Sequence, residues 1–276
     1  MLKLMFITND PEIACEAQIT GIDRIFVDLE QIGKKERQGH LDTVQSNHTI
    51  KDISKVRDVL KTSNLLVRIN PIYEHSKNEI DEVISRGADI IMLPMSKTKE
   101  DVKTFIEYVN GRVKTNILLE TTQGLARIDD FLDVAGIDEI HIGLNDMHLG
   151  MGLDFMFELI SGGIIEYLSS KIKNKNINFG IGGMARIGQG TLPAECILGE
   201  HYRLGSQCVI LSRTFHNRAS NLTQLNETFS LQEEIDKIRI KEKEIFEWTH
   251  VDYMKNKIKV KESVNMIVGI LRKRNL

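Results

Sequence analysis

Short apolar runs recur along the chain, each ending on polar residues and each followed by an amphipathic stretch. Eight of them read as strands: KLMFITN from Lys3, RIFVDLE from Arg24, NLLVRIN from Asn64, DIIMLPM from Asp89, TNILLETT from Thr115, EIHIGLND from Glu139, NFGIGGM from Asn178 and QCVILSR from Gln207. Their near-continuous apolar character suits parallel strands covered on both faces, where the usual alternation is lost. The segments between them carry helical spacing instead. Ile53, Val56, Val59 and Leu60 share one face of DISKVRDVLK, as Ile80, Val83 and Ile84 do in KNEIDEVISRG. Gly87 and Gly111 stand where helices should stop. Eight strands alternating with helices through right-handed crossovers predict an α/β fold, a single closed (β/α)8 TIM barrel. An open, doubly wound sheet is the alternative.

Two stretches break this rhythm. Residues 31–50, QIGKKERQGHLDTVQSNHTI, form a polar connection longer than an ordinary loop. It follows a strand, so in a barrel it opens onto the face that carries catalysis. The second is the tail, which divides the chain into a barrel over 1–230 and a C-terminal helical extension over 231–276. Ile235, Ile238, Ile245 and Trp248 fall on one helical face, and residues 258–271 offer a second apolar stripe. Such an appendix packs on its own barrel or reaches a neighbouring subunit of a homo-oligomer.

A length of 276 residues fits one barrel, and shares of 41% hydrophobic and 27% charged residues are those of an ordinary globular protein. The formal net charge of −3 leaves no basic footprint for nucleic acid and points to small-molecule substrates. Cys15, Cys196 and Cys208 are scattered without CxxC spacing, against a disulfide framework or zinc knuckle and in keeping with a reducing cytoplasm. The opening MLKLMFITNDPEIA reads as a first strand rather than a signal segment. No apolar stretch approaches the roughly 18 residues that span a bilayer, so no membrane partner is expected. Asn47, Asn221 and Asn226 match the glycosylation acceptor pattern, which carries no weight without secretion.

Barrel enzymes take their catalytic groups from the carboxyl ends of strands. Those ends supply Asp28 and Glu30, Arg68 and Asn70, Glu120, and Asn145 and Asp146. Glu120 and Asp146 come from neighbouring strands, where two close carboxylates repel unless a cation sits between them. Two protein oxygens, with water and substrate completing the shell, fit an octahedral magnesium-type site; solvated strand-end acids are the alternative. Arg68 ends LLVRIN, where its planar fork suits a carboxylate or an enolate oxygen, or else an ordinary ion pair. No lysine stands at the recognisable strand ends, so a Schiff base is not expected. The run from Gly180 to Ala185 fits a loose GxGxxA fingerprint, but Gly188 and Gly190 interrupt the helix a dinucleotide site needs. A glycine-rich seventh strand end instead suits an anionic substrate, with Arg186 and Arg213 as added charge or as surface ion pairs. His141 reads as a satisfied barrel residue, Glu200 and His201 as structural, and IKEKEIFEW as a solvated helix face.

Taken in order and spacing, GIDRIFVDLE, LLVRIN, ADIIMLPM, ILLET and IHIGLNDMHLGMG resemble the HpcH/HpaI aldolase and citrate lyase beta-subunit family, over about residues 20 to 155. The resemblance implies a metal-dependent carbon–carbon lyase acting on a 2-oxo acid or an acyl-CoA ester, with Mg or Mn as cofactor. It makes Glu120 and Asp146 the metal ligands and Arg68 the substrate-binding arginine. The backbone amides of Gly143, Leu144 and Asn145 would take the substrate carboxylate. Asp28 and Glu30 would support them. The sequence also departs from the family. Gln31 stands where the aldolase branch has a histidine base, and Lys34 or Lys35 with Arg37 only partly reproduce the citrate-lyase spacing. His40, oriented by Asp42, or His48 would then supply the base. The favoured reading is a class II aldolase joining or cleaving a 2-oxo acid and an aldehyde. Its rivals are a CoA-ester lyase or thioesterase and a barrel that binds a metabolite without catalysis.

Overall fold

The computed structural model describes residues 1–33, 47–215, 219 and 221–274. Eight strands close a barrel in sequence order, every neighbouring pair parallel and β1 pairing with β8. They are β1 (Lys3–Ile7), β2 (Arg24–Asp28), β3 (Asn64–Arg68), β4 (Ile90–Leu93), β5 (Lys114–Leu119), β6 (Glu139–Ile142), β7 (Asn178–Met184) and β8 (Cys208–Leu211). The helices between them are α1 (Pro11–Ile19), α2 (Ile50–Val59), α3 (Ser76–Ser85), α4 (Lys99–Val109), α5 (Thr122–Ala126), α6 (Ile128–Leu132), α7 (Leu144–Gly150), α8 (Glu158–Ser161), α9 (Ile164–Asn174) and α10 (Ala194–Leu204). After β8 come α11 (Leu222–Thr228), α12 (Leu231–Phe246) and α13 (His250–Arg274).

The apolar residues divide into two bodies, as a barrel requires. One fills the space between strands and helices, with Ile25, Val27, Leu65, Val67, Ile91 and Leu93 meeting Ile53, Val56, Ile80, Val83 and Phe105. The other lies inside the barrel, where Met5, Phe26, Leu66, Ile90, Met92, Leu118 and Cys208 pack together. This split explains the unbroken apolar runs in the sequence, since alternate strand residues serve different cores.

The strand-start end is braced by polar side chains. Asp23, Asp89 and Asp138 each precede a strand and accept the amide near the start of the strand before it: Leu4 at 2.9 Å, Leu65 at 2.7 Å and Thr115 at 2.8 Å. Arg24 of β2 and Glu139 of β6 meet across the interior in a paired bridge of 2.6 Å contacts, and Asn116 adds a 3.2 Å hydrogen bond to Glu139. Burial opposes the charges of both. The mutual hydrogen bonds nevertheless hold the arginine above and the glutamate below their ordinary pKa ranges. Two residues further along β6, His141 is buried, and burial pushes its imidazole down to about 4. It is therefore neutral near pH 7. Neither ring nitrogen makes a hydrogen bond among the described residues, so the satisfied state expected of it is not found.

The C-terminal helices lie against their own barrel. Val260, Val264 and Val268 bury one face of α13, and Asn256 donates to the Cys196 carbonyl and to Glu200, both at 3.0 Å. Glu200 also pairs with Arg203 at 2.7 Å, a structural role as expected. The run IKEKEIFEW is not wholly solvated. Glu242 is buried and accepts the Leu2 amide at 2.6 Å and the Tyr202 hydroxyl at 3.0 Å.

Candidate active site

The strand ends carry the chemistry. Asp28 ends β2 and Arg68 ends β3, directly opposite each other in the sheet register. The guanidinium binds Asp28 through Nε at 2.9 Å and Nη2 at 2.8 Å, and Nη2 lies 3.3 Å from Glu30. Burial works against the arginine's charge. The attraction of Asp28 and Glu30 outweighs it and holds the pKa well above the ordinary value. Asp28 and Glu30 therefore fix the arginine through Nε and Nη2. Two further contacts define this corner: the Phe26 ring lies 5.6 Å from the guanidinium carbon, and His48 Nδ1 accepts the Asp28 amide at 3.0 Å. His48, a candidate base in the sequence, is thus buried against β2 with Nδ1 engaged as an acceptor.

Glu120 follows β5 and is buried at the mouth. Its Oε1 accepts the Met95 amide at 3.2 Å, and Met95 reaches that position only with φ of 56°, a left-handed backbone that side chains rarely adopt. On the other side Gly143 leaves room for the carboxylate, because a Cβ there would lie 2.8 Å from Glu120 Cβ and 3.0 Å from Oε2. Burial pushes the Glu120 pKa up to about 8. Arg68 opposes this, while Asp146 and Glu30 add to it.

Asp146 is half-buried and shares a pocket of about 340 Å³ with Glu120, Met95, Lys97, Thr121 and Leu149. It does not end a strand. β6 stops at Ile142, Gly143 is extended at the N-cap, and Asp146 belongs to the first turn of α7. The carboxylate still reaches the mouth because the turn begins immediately past the strand. The Gly143 amide donates to the Leu119 carbonyl at 3.0 Å, which removes it from any set of anion donors and leaves the amides of Leu144 and Asn145. His40 and Asp42 lie outside the described residues.

Among the described residues no cluster of three or more His, Cys, Asp or Glu side chains is arranged to hold a metal ion. The two carboxylates fit a hard cation on other grounds. They line one pocket, and Glu120 suffers a burial and like-charge penalty that a cation would relieve. Both are oxygen donors of the type such ions prefer. The sequence reading missed Met95, whose backbone role leaves no trace in residue type. It also missed Lys97, which stands just past β4 as the polar end of DIIMLPMSK. A concavity of about 600 Å³ lined by Asn64, Asp89, Lys114 and Asp138 lies at the opposite, strand-start end, away from these groups. No helix among the described residues is long and apolar enough to cross a membrane.

The model of the HpcH/HpaI aldolase/citrate lyase family matches residues 3–156. No curated protein matches the chain. Among solved structures, an HpcH/HpaI aldolase from Desulfitobacterium hafniense DCB-2 is similar at a TM-score of 0.62 and 14% identity, over 83% of this chain and 94% of that one. The citrate synthase SbnG gives a TM-score of 0.59 at 15% identity, over 82% and 93%. An HpcH/HpaI aldolase/citrate lyase family protein from Burkholderia cenocepacia J2315 gives 0.60 at 14%, over 82% and 94%. At such identities these structures speak for the fold, and the family model speaks for descent. The family match covers more than half of the chain and every strand end described above through Asp146, so this chain belongs to the HpcH/HpaI aldolase/citrate lyase family and is an enzyme of the lyase type.

Proposed function

We propose that the protein is a divalent-metal-dependent carbon–carbon lyase, a class II aldolase that cleaves or forms the bond next to a pyruvate-type enolate in a small 2-oxo acid. The observation that carries this reading is the placement of Glu120 and Asp146 in one pocket at the barrel mouth. Glu120 and Asp146 would hold Mg or Mn, which when bound supplies Lewis acidity toward the substrate's oxygens. Arg68 carries a charge that Asp28 and Glu30 keep fixed in place, so it stabilises negative charge developing on the C2 oxygen without reorganising. The Leu144 and Asn145 amides open α7, where backbone N–H groups have no carbonyl of their own turn to bind, and they suit the substrate carboxylate. In cleavage the C4 hydroxyl loses its proton to a base and the C3–C4 bond breaks. Its electron pair enters the C2–C3 enolate, and C3 is then reprotonated.

This chemistry is read most directly by exchange of the pyruvate methyl protons in deuterium oxide. Metal-stripped protein should be inert and Mg or Mn should restore exchange. Glu120→Ala should lower the rate by 10²-fold or more, about 3 kcal/mol of lost stabilisation. Acetyl-CoA run in parallel tests a CoA ester as the substrate. Absence of exchange with either, in folded and metal-loaded protein, would favour the role of a metabolite-binding barrel.

A further inference from the structure

We propose that Lys97 sets the substrate range of this site by binding an anionic group, a carboxylate or a phosphate, at the end of the substrate remote from the 2-oxo acid head. The proposal rests on the lyase reading above and names the kind of molecule that the site accepts.

Two concavities meet at the loop after β4. One is the pocket of about 340 Å³ that holds Glu120 and Asp146. The other, about 370 Å³, is walled by Ile32, Pro71, Ile72 and Pro94. Met95 and Lys97 line both. A substrate whose head lies at the carboxylate pair and whose tail enters the second concavity passes the Lys97 side chain. The apolar walls cannot recognise a polar tail, and among the described residues that line this concavity Lys97 and Asp101 are the charged ones. Asp101 is already engaged, since one of its oxygens accepts the amides of Lys97 and Thr98, both at 2.9 Å, at the start of α4. It braces the loop and thereby fixes the backbone from which Lys97 extends.

Charge supports the same assignment. Asp28, Glu30, Glu120 and Asp146 bring four carboxylates to the mouth, and Arg68 is held by the first two. Lys97 is exposed and makes no ion pair among the described residues, so its ammonium is available to a ligand. A lysine is a point charge on a flexible stem and serves a carboxylate or a phosphate equally. Being exposed, it can be replaced without loss of the fold.

Binding of unreactive substrate mimics tests this without requiring turnover. Calorimetry in the presence of Mg²⁺ compares 2-oxoadipate with 2-oxohexanoate, which has the same chain length but no terminal carboxylate. The unaltered protein should bind 2-oxoadipate about tenfold more tightly, the scale of one hydrogen bond to a charged group. Lys97→Met, which keeps the stem, should abolish the preference and leave 2-oxohexanoate affinity unchanged, and Lys97→Arg should retain part of it. A 2-oxo-5-phosphonopentanoate arm separates the two anions, the tighter of the two identifying the group for which the pocket is built. Equal affinity for the two C6 acids in the unaltered protein, or a preference that survives in Lys97→Met, overturns the proposal while leaving the lyase reading intact. If no 2-oxo acid binds to folded, metal-loaded protein, the lyase reading falls and this one falls with it.

Discussion

At position 143 a methyl group would press on Glu120 from 2.8 Å, so glycine there is a requirement of the carboxylate rather than of the backbone. Gly143→Ala should turn Glu120 away from Asp146 and weaken Mg²⁺ or Mn²⁺ binding by about 10- to 100-fold, the range for groups that orient metal ligands. Calorimetry reads this directly. A circular dichroism spectrum matching the parent's shows that the barrel is intact, and unchanged metal affinity in such a protein would remove Gly143 from the site. The acids and the arginine were legible in the sequence because each ends an apolar run, where a polar side chain must face the mouth. What the sequence could not show is how they pair. That Asp28 and Glu30 spend themselves on Arg68, that the Gly143 amide is taken by Leu119, and that His48 is buried against β2 are consequences of register between elements far apart in the chain.

Among the elements, the strands were read nearly in full because a parallel barrel strand has to be apolar on both sides. Asp146 was misplaced onto the sixth strand because EIHIGLND keeps its apolar pattern across the boundary, while the strand stops at Ile142 and α7 begins at Leu144. Thr49 and Asp52 close a capping box on α2, and Asp52 also binds Asn9 at 3.0 Å and Lys55 at 3.1 Å. Burial alone would raise its pKa, but the hydrogen bonds from Asn9, Thr49 and Lys55 outweigh this and lower it to about 2. A depressed folded pKa means that the ionised group stabilises the protein above the unfolded value near 4, and that this contribution fades as pH falls through about 2. Asp52→Asn should therefore cost about 1 kcal/mol at pH 7. In urea titrations the gap between variant and parent should narrow as pH falls below about 4 and close as it passes about 2. A gap of constant size across that range would mean that the carboxylate's charge is irrelevant.

For the molecule as a whole, the bridge between Arg24 and Glu139 ties opposite walls of the barrel at the strand-start end. Nothing in the sequence pairs residues 24 and 139, since each reads as an ordinary charged flank of its strand. Removing one partner leaves a buried charge alone, and Glu139→Leu should lower stability by about 3–5 kcal/mol. Replacing both, as Arg24→Met with Glu139→Leu, should recover most of that loss. Denaturant midpoints of the single and double variants measure it, and a double variant as unstable as the single one would show that the bridge itself holds the barrel. The bridge and the aspartate braces at Asp23, Asp89 and Asp138 all lie at the end opposite Glu120, Asp146 and Lys97. Foundation and workshop are thus on separate floors. Over evolutionary time the loops above can be rewritten for a new acceptor molecule while selection for a sturdy scaffold acts below, so that descendants of this chain can diverge in diet without first having to learn again how to fold.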